Sequence, residues 1–139
     1  MIIAVDFDGT CVKHKYPFIG EDIGAAPVLK KLVNDGHKII LNTMRSHMKT
    51  NIPDKHTPLG YYSVDTLQEA ISWFEKNGIP LYGVNHNPDQ DKWTDSQKPY
   101  ANVYIDDAAL GCPTIFDYES GRPFVDWTAV SKMLGYEKD

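Results

Sequence analysis

Three short apolar runs, each ending directly on polar residues, constrain the fold of this chain more than any other feature. The runs lie at residues 2–5, 39–41 and 103–105. Continuous apolar runs of this length, without polar alternation, are typical of strands buried on both faces, as in a parallel sheet. The polar residues that follow them are Asp6, Asn42-Thr43 and Asp106-Asp107.

Segments with helical spacing lie between these runs. Predicted strands cover residues 2–5, 38–42, 79–84, 101–105 and 114–116, and predicted helices cover 25–34, a segment that begins after Ser63 or Asp65 and ends before Asn77, and 126–134. Pro80 weakens the third strand, because proline cannot donate a ladder hydrogen bond. We interpret residues 46–62 and 85–99 as polar loops. The alternation of strands and helices predicts an α/β fold with a parallel sheet and right-handed crossovers.

Size and composition favour one soluble domain spanning residues 1–139. The net charge is −5 and there is no basic block, which disfavours non-specific nucleic-acid binding. The apolar runs are far shorter than a membrane span needs. Residues 1–6 lack the features of a signal peptide, so we expect a cytoplasmic protein. Cys11 and Cys112 have no metal-type spacing, and a disulfide between them stays open.

Carboxylates dominate the residues that follow the predicted strands. In a parallel α/β sheet, ligands bind beyond the carboxyl ends of the strands, near the switch in strand order, so Asp6, Thr43 and Asp106 should meet there. Asp8 and Asp107 add two more carboxylates, and such a cluster repels itself unless it is protonated or holds a cation. Oxygen ligands without His or Cys favour Mg²⁺ over zinc. Mg²⁺ in turn implies a phosphate ester nearby.

Asp6 and Asp8 alternate along an extended segment, so both carboxylates can face one site. One can attack phosphorus, while the other donates a proton to the leaving oxygen and later takes one from water. Gly9 allows a sharp turn and close approach to a ligand, and Thr10 can stabilise that turn. A plain turn after a strand is the alternative interpretation, since Asp, Gly and Thr are common turn formers.

These residues resemble the haloacid dehalogenase (HAD) superfamily of phosphohydrolases. Its first motif, an apolar strand followed by Asp-x-Asp-Gly-Thr, is matched by residues 2–10. Its second, a strand ending in Thr or Ser, is matched by residues 39–43, and its fourth, a strand ending in paired acids, by residues 103–107. Lys98 is the best candidate for the lysine of the third motif. The resemblance implies a Rossmann-like three-layer fold with a parallel sheet of about five strands.

The resemblance also implies a catalytic and metal-binding role for four aspartates. Asp6 would be the nucleophile that forms an aspartyl-phosphate and a Mg²⁺ ligand. Asp8 would be the general acid and base, and its backbone carbonyl would contact the metal. Asp106 would be the main metal carboxylate, with Asp107 as a further ligand or a hydrogen-bonded neighbour. Family members that break carbon–halogen bonds lack an acid at the position of Asp8, which favours phosphate chemistry.

Three residues are predicted to bind the phosphoryl group. The resemblance implies that Thr43 donates a hydrogen bond to a phosphoryl oxygen and that Lys98 neutralises its charge. Lys92 and Lys55 are rivals for the lysine role. Arg45, two residues beyond Thr43, carries a fork of donors that suits a substrate phosphate or carboxylate. A solvent-exposed Arg45 is the alternative.

Many relatives in this superfamily carry a cap domain over the site. The segments after Gly9 and between residues 85 and 98 are too short to hold a compact domain. We therefore predict a capless enzyme with an open site, in which residues 46–62 form a partial lid. Three loop histidines lie at the same edge, and we expect solvent exposure rather than contact with the leaving group. They are His47, His56 and His86.

The leading prediction is a magnesium-dependent HAD-type phosphatase that hydrolyses a small phosphorylated substrate. One alternative is a phosphatase or phosphotransferase that acts on nucleotides, polynucleotide ends or another large phosphoester. A different class is a phosphate- or metal-binding module without catalysis. The sequence leaves the physiological substrate and the oligomeric state open.

Overall fold

The structure is a computed structural model that describes residues 1–136. It contains eight strands and three α-helices in that range. In chain order they are β1 (Ile2–Val5), α1 (Ala25–Asn34), β2 (Lys38–Leu41), β3 (Lys49–Pro53), β4 (Tyr61–Asp65), α2 (Thr66–Lys76), β5 (Gly83–Val84), β6 (Val103–Ile105), β7 (Thr114–Asp117), β8 (Arg122–Val125) and α3 (Trp127–Met133). The predicted α/β class is confirmed.

A four-stranded parallel sheet in the order β5-β2-β1-β6 forms the centre of the molecule. Ile3 of β1 pairs with Ile39 on one side and Val103 on the other. The third predicted strand is shorter than expected, because only Gly83–Val84 pairs with β2. The chain builds outward from β1 to β2 and β5, then crosses to β6 on the other side. The switch in strand order therefore lies at β1, where a ligand crevice is expected.

All three helices contribute to one hydrophobic core on one face of this sheet. The strands present alternate residues to that face, as the pleat of a strand requires. The buried members of the core from the sheet and helices include Ile3, Val5, Ile39, Leu41, Ile105, Leu29, Leu32, Leu67, Trp73, Phe74, Trp127 and Val130. Burial of this apolar surface, at about 25 cal/mol per Å², is what holds the helices against the sheet.

The opposite face carries a smaller cluster built on Ala4, Ile40 and Ala101. No helical residue belongs to that cluster among the residues described. The connection from β5 to β6 is instead a loop with one 3-10 turn at Gln90–Lys92. The buried Gln90 side chain organises this loop through hydrogen bonds to backbone groups of three later loop residues. The predicted three-layer arrangement with about five strands is therefore not confirmed.

Two segments outside the central sheet differ from expectation. The predicted strand at residues 114–116 exists, but β7 pairs antiparallel with β8 instead of joining the parallel sheet. The prediction that residues 46–62 form a loop is wrong, because β3 and β4 pair antiparallel there. Ile52 is the buried hydrophobic residue of this hairpin. With a single buried apolar position, the hairpin has no clear periodic pattern.

Side-chain capping marks the starts of α2 and α3. Asp65 Oδ1 accepts a hydrogen bond from Gln68 N at 2.9 Å, so Asp65 rather than Ser63 caps α2. Asp126 Oδ1 accepts from Ala129 N at 3.2 Å and caps α3 in the same way. None of the helices within residues 1–136 is long and apolar enough to cross a membrane.

Candidate active site

The ends of β1 and β6 bring three carboxylates together. Asp6 N donates a hydrogen bond to Ile105 O at 3.0 Å, which extends the ladder one residue beyond the strands. Asp106 and Asp107 follow Ile105 directly, so they emerge beside Asp6. One oxygen from each of Asp6, Asp106 and Asp107 lies within 4.8 Å of the others. Two segments about a hundred positions apart in sequence thus form one acidic cluster at the switch in strand order.

The turn that follows Asp6 is anchored to the core at several points. Phe7 is fully buried, with its ring centroid 5.7 Å from that of Trp73. Phe7 O accepts a hydrogen bond from Cys11 N at 2.8 Å, which closes the turn. Gly9 adopts φ 78°, a conformation that costs glycine little. Trp127 Nε1 donates to Thr10 O at 2.6 Å and fixes the turn to α3.

The Thr10 hydroxyl links the two halves of the acidic cluster. Its oxygen lies 3.1 Å from Asp6 Oδ2 and 3.2 Å from Asp107 Oδ1, and it also accepts a hydrogen bond from Asp107 N at 3.1 Å. A hydroxyl has only one hydrogen, so it donates to one of these carboxylates at a time. Thr10 therefore stabilises the turn, as expected, but cannot by itself orient both carboxylates.

The electrostatics of the cluster disfavour a negative charge on Asp6. Desolvation by burial is the largest cause, and the charges of Asp106 and Asp107 add to it, so the pKa of Asp6 rises from 3.8 to about 7. A hydrogen bond from the backbone N–H of Phe7 acts in the opposite direction. A cation bound among the three carboxylates would reverse this effect, because it stabilises their charged forms.

The chemistry of the donor set fits magnesium. The three clustered groups are carboxylates, hard oxygen ligands of the kind that Mg²⁺ takes in small number while keeping several waters. No His or Cys belongs to the cluster within residues 1–136. The side chain of Asp8 is not part of it, which is compatible with the expected contact through the Asp8 backbone carbonyl.

Asp8 instead forms a two-pronged ion pair with Arg45. Arg45 Nε donates to Asp8 Oδ2 and Arg45 Nη2 donates to Asp8 Oδ1, both at 2.8 Å. The Arg45 side chain is 1% exposed and that of Asp8 is 18% exposed. Bidentate pairs of this geometry are among the stronger hydrogen-bonded contacts in proteins. In this arrangement both Asp8 oxygens act as acceptors.

The remaining donors of Arg45 face the protein rather than a substrate. Nη1 donates to Thr66 O at 3.0 Å and Nη2 also donates to Phe18 O at 2.8 Å. The guanidinium carbon lies 4.9 Å from the ring centroid of Phe7 and 5.2 Å from that of Tyr16. Four of the five N–H groups are thus satisfied internally. The solvent-exposed alternative is wrong, and the phosphate contact would use at most one N–H here.

Thr43 lies at the end of β2 with its hydroxyl hydrogen available. Its Oγ1 accepts a hydrogen bond from Arg45 N at 3.1 Å, and its backbone N–H donates to Asn85 Oδ1 at 2.7 Å. Asn85 adopts φ 52° directly after β5, a conformation that Asn tolerates better than most residues. These contacts tie the ends of β2 and β5 together and leave Thr43 able to donate to a phosphoryl oxygen.

The structure does not bring Lys98 to the acidic cluster. Its side-chain nitrogen lies 5.1 Å from the ring centroid of Tyr104, and its backbone oxygen accepts a hydrogen bond from Gln90 Nε2. Across residues 1–136, none of the ion pairs includes Lys98. Its role as the phosphate lysine stays a prediction.

Sequence reasoning missed His14. Its Nε2 lies 2.8 Å from Asp107 Oδ2, and both side chains are only 9% exposed. The three histidines considered from sequence, His47, His56 and His86, are exposed, as expected. The sequence signal that could have identified His14 is its position, because it follows the Asp-x-Asp-Gly-Thr motif within the same loop.

Gly9 leaves room for the His14 ring, and this gives a test of the site's packing. A Cβ at Gly9 would overlap His14 Nε2 and Cε1 and approach Asp107 Oδ2 to 2.7 Å. Gly36→Ala is a matched control, because Gly36 has φ 92° with open space around it. We expect Gly36→Ala to lower the free energy of unfolding by about 1–2 kcal/mol through backbone strain. Gly9→Ala should cost at least about 1 kcal/mol more through the overlap.

Urea denaturation of the two glycine variants beside the unsubstituted protein measures both costs. Equal losses for Gly9→Ala and Gly36→Ala would contradict the packing of His14 over Gly9.

Comparison with known proteins adds one relative. No model of a known protein family matches this chain, and no curated protein matches it. Among solved structures, a conserved protein from Bacteroides thetaiotaomicron is 32% identical, with a TM-score of 0.69. The match covers 100% of this chain and 93% of that one. Identity at this level over the full length shows common descent, and this chain belongs to the same family as that conserved Bacteroides protein.

Proposed function

We propose that this protein is a magnesium-dependent phosphohydrolase of the HAD type that acts on a small phosphorylated substrate through Asp6. The observation that carries the proposal is the meeting of Asp6 with Asp106 and Asp107 at the switch in strand order. Asp6 is the first residue of the Asp-x-Asp-Gly-Thr motif. The residue that the HAD resemblance implies as nucleophile is therefore also a member of the acidic cluster. Phosphoryl transfer requires mainly positioning and charge stabilisation, which such a cluster can organise.

The first half of the reaction forms a covalent intermediate on Asp6. A carboxylate oxygen of Asp6 attacks phosphorus, and the bond from phosphorus to the leaving oxygen breaks. Asp8 gives its proton to that leaving oxygen, so an alcohol departs. The Thr43 hydroxyl donates to a phosphoryl oxygen and holds the group in place.

The second half returns the enzyme to its starting state. Asp8, now ionised, takes a proton from water, and the resulting hydroxide attacks the phosphorus of the aspartyl-phosphate. The bond between phosphorus and the Asp6 oxygen breaks, which releases inorganic phosphate and restores both carboxyl groups.

Asp6, Asp106, Asp107 and the backbone carbonyl of Asp8 would hold Mg²⁺. When bound, the ion supplies positive charge against the carboxylates and the phosphoryl oxygens. Lys98 is proposed to add to that charge, which requires the loop before β6 to bring it toward Asp6.

Asp8 has to change its contacts to act as an acid. Its two oxygens accept from Arg45 in this structure, and a carboxyl that donates a proton must carry a hydrogen on one of them. We propose that substrate binding releases one arm of the ion pair and leaves the other in place. Arg45 would then keep Asp8 near the leaving group instead of binding the phosphate itself.

Hydrolysis of p-nitrophenyl phosphate tests the proposal directly. We expect turnover with Mg²⁺ and a loss of at least about 100-fold when EDTA removes it, because the positive charge that would offset the carboxylates and the phosphoryl oxygens is then missing. Release of p-nitrophenolate, followed by its absorbance, measures the rate. Restoration by added Mg²⁺ is the control that separates metal removal from damage to the protein.

A screen of phosphorylated metabolites, nucleotides and oligonucleotide ends follows if p-nitrophenyl phosphate is a poor substrate. Absence of turnover with every compound, under conditions in which Mg²⁺ binding is demonstrated by calorimetry, would contradict the phosphatase proposal.

The ion pair between Arg45 and Asp8 favours one second candidate, a metal- or phosphate-binding module without catalysis. A carboxylate held at both oxygens by a buried guanidinium serves structure well and acid catalysis poorly. The same experiment separates the two functions, because the module would bind Mg²⁺ and show no hydrolysis.

A further inference from the structure

Asp107 has two side-chain neighbours that can orient it, Thr10 and His14. Thr10 Oγ1 lies 3.2 Å from Oδ1, and His14 Nε2 lies 2.8 Å from Oδ2. The two contacts fall on different oxygens of the same carboxylate. The pair of His14 and Asp107 is enclosed, with each side chain 9% exposed.

Thr10 cannot be a dedicated donor to Asp107. Its oxygen is also 3.1 Å from Asp6 Oδ2, and the single hydroxyl hydrogen can serve only one of the two carboxylates. When that hydrogen points to Asp6, the contact with Asp107 Oδ1 is between two acceptors. Within residues 1–136, His14 pairs with no carboxylate other than that of Asp107.

The absence of a side chain at Gly9 makes this contact possible. The His14 ring occupies the space where any other residue at position 9 would carry its Cβ. An ionised carboxylate only accepts hydrogen bonds, so Nε2 is assigned as the nitrogen that carries the hydrogen. Gly9 thus allows His14, from the following loop, to reach Asp107 in the pair of acids that follows β6.

We propose that His14 is a positioning residue that holds the Asp107 carboxylate in the orientation needed for metal binding. The inference rests on the proposed function, because it assigns Asp107 to the Mg²⁺ site. His14 lies outside the group of clustered carboxylates, so it acts through Asp107 and is not itself a ligand. Residues that orient metal ligands in this way typically change metal affinity or activity about 10–100-fold when removed.

Two substitutions separate hydrogen bonding from packing. His14→Leu keeps much of the side-chain volume and removes the donor. His14→Gln keeps a donor, since the amide nitrogen of Gln reaches nearly as far as Nε2 of His. We expect His14→Leu to weaken Mg²⁺ binding about 10–100-fold, and His14→Gln to stay within about threefold of the unsubstituted protein.

Isothermal titration of Mg²⁺ into the metal-free full-length protein gives the dissociation constants. Binding by His14→Leu within about threefold of the unsubstituted protein would overturn the inference. Equal losses for His14→Leu and His14→Gln would also overturn it, because the role would then be packing. Failure of the unsubstituted protein to bind Mg²⁺ would refute the metal site itself, a result distinct from either of these.

Thermal unfolding in EDTA shows whether each variant is folded before titration. If His14→Leu does not fold, His14→Met provides a second donor-free side chain of greater flexibility, and the same comparison with His14→Gln applies. Loss of phosphatase activity with unchanged Mg²⁺ affinity in the donor-free variant would also contradict a role through Asp107.

Discussion

Asp6→Asn is expected to reduce hydrolysis of p-nitrophenyl phosphate by at least about 10⁴-fold, because the nucleophile of a covalent mechanism has no substitute. An amide at this position has nearly the same shape as the carboxylate. It cannot attack phosphorus with a negatively charged oxygen, and it contributes less to binding Mg²⁺. The fold should survive, since Asp6 lies beyond the end of β1 and its backbone N–H, which bonds Ile105 O, is unchanged.

Initial rates at saturating Mg²⁺ measure this effect, with circular dichroism to confirm the fold. Asp95→Asn is a matched control, because Asp95 is an exposed loop residue and the substitution changes the same chemical group. That control should retain full activity. Turnover by Asp6→Asn at the normal rate would remove Asp6 from the mechanism and with it the proposed assignment.

The fold could be predicted to the extent that burial imposes a periodic pattern on the sequence. β1 and β2 each bury three consecutive residues, so continuous apolar runs marked them. β6 also carries an apolar run, although only Ile105 of it is buried. The β3–β4 hairpin buries one hydrophobic residue, Ile52, and left no comparable pattern. The internal structure of the loop between β5 and β6 could not be predicted either. Gln90 supports that loop through hydrogen bonds that no spacing rule describes.

The candidate site likewise has a part that could be predicted from sequence and a part that could not. Asp6 and Asp106 could be placed together from sequence, because parallel strands deliver their carboxyl ends to one edge whatever the loops do. The hydrogen-bond partners of Asp8 and Asp107 could not be predicted from sequence. Arg45 and His14 reach them from loops whose conformations depend on tertiary contacts, such as the one between Arg45 and Phe18 O.

The charge on Asp6 has a consequence for the stability of the metal-free protein. Burial and the neighbouring carboxylates raise the pKa of Asp6 from 3.8 to about 7 in the folded chain. A carboxyl with a higher pKa in the folded state binds its proton more tightly there than in the unfolded state. Its contribution to stability is therefore complete below pH 3.8 and is lost as the pH rises through about 7.

Asp6→Asn should consequently stabilise the metal-free protein at neutral and alkaline pH. At about pH 4.5 both side chains are largely neutral in the folded state, and the difference between the two proteins should be much smaller than at alkaline pH. At about pH 8 the carboxylate bears its charge in a desolvated, anionic cluster while the amide does not, so the variant should be more stable by about 2–4 kcal/mol. Urea denaturation in EDTA across this pH range measures the difference.

Mg²⁺ should then reverse the order of stability, because a ligand that binds only the folded state stabilises it, and the unsubstituted protein binds the ion more tightly. Asp95→Asn again serves as the control and should show neither the pH-dependent gain nor the reversal. A difference between Asp6→Asn and the unsubstituted protein that stays constant from about pH 4.5 to about pH 8 would contradict the raised pKa of Asp6, since only a group that titrates in that interval makes the difference depend on pH. A pH-dependent gain without reversal by Mg²⁺ would place the charge penalty at Asp6 and argue against a metal site there.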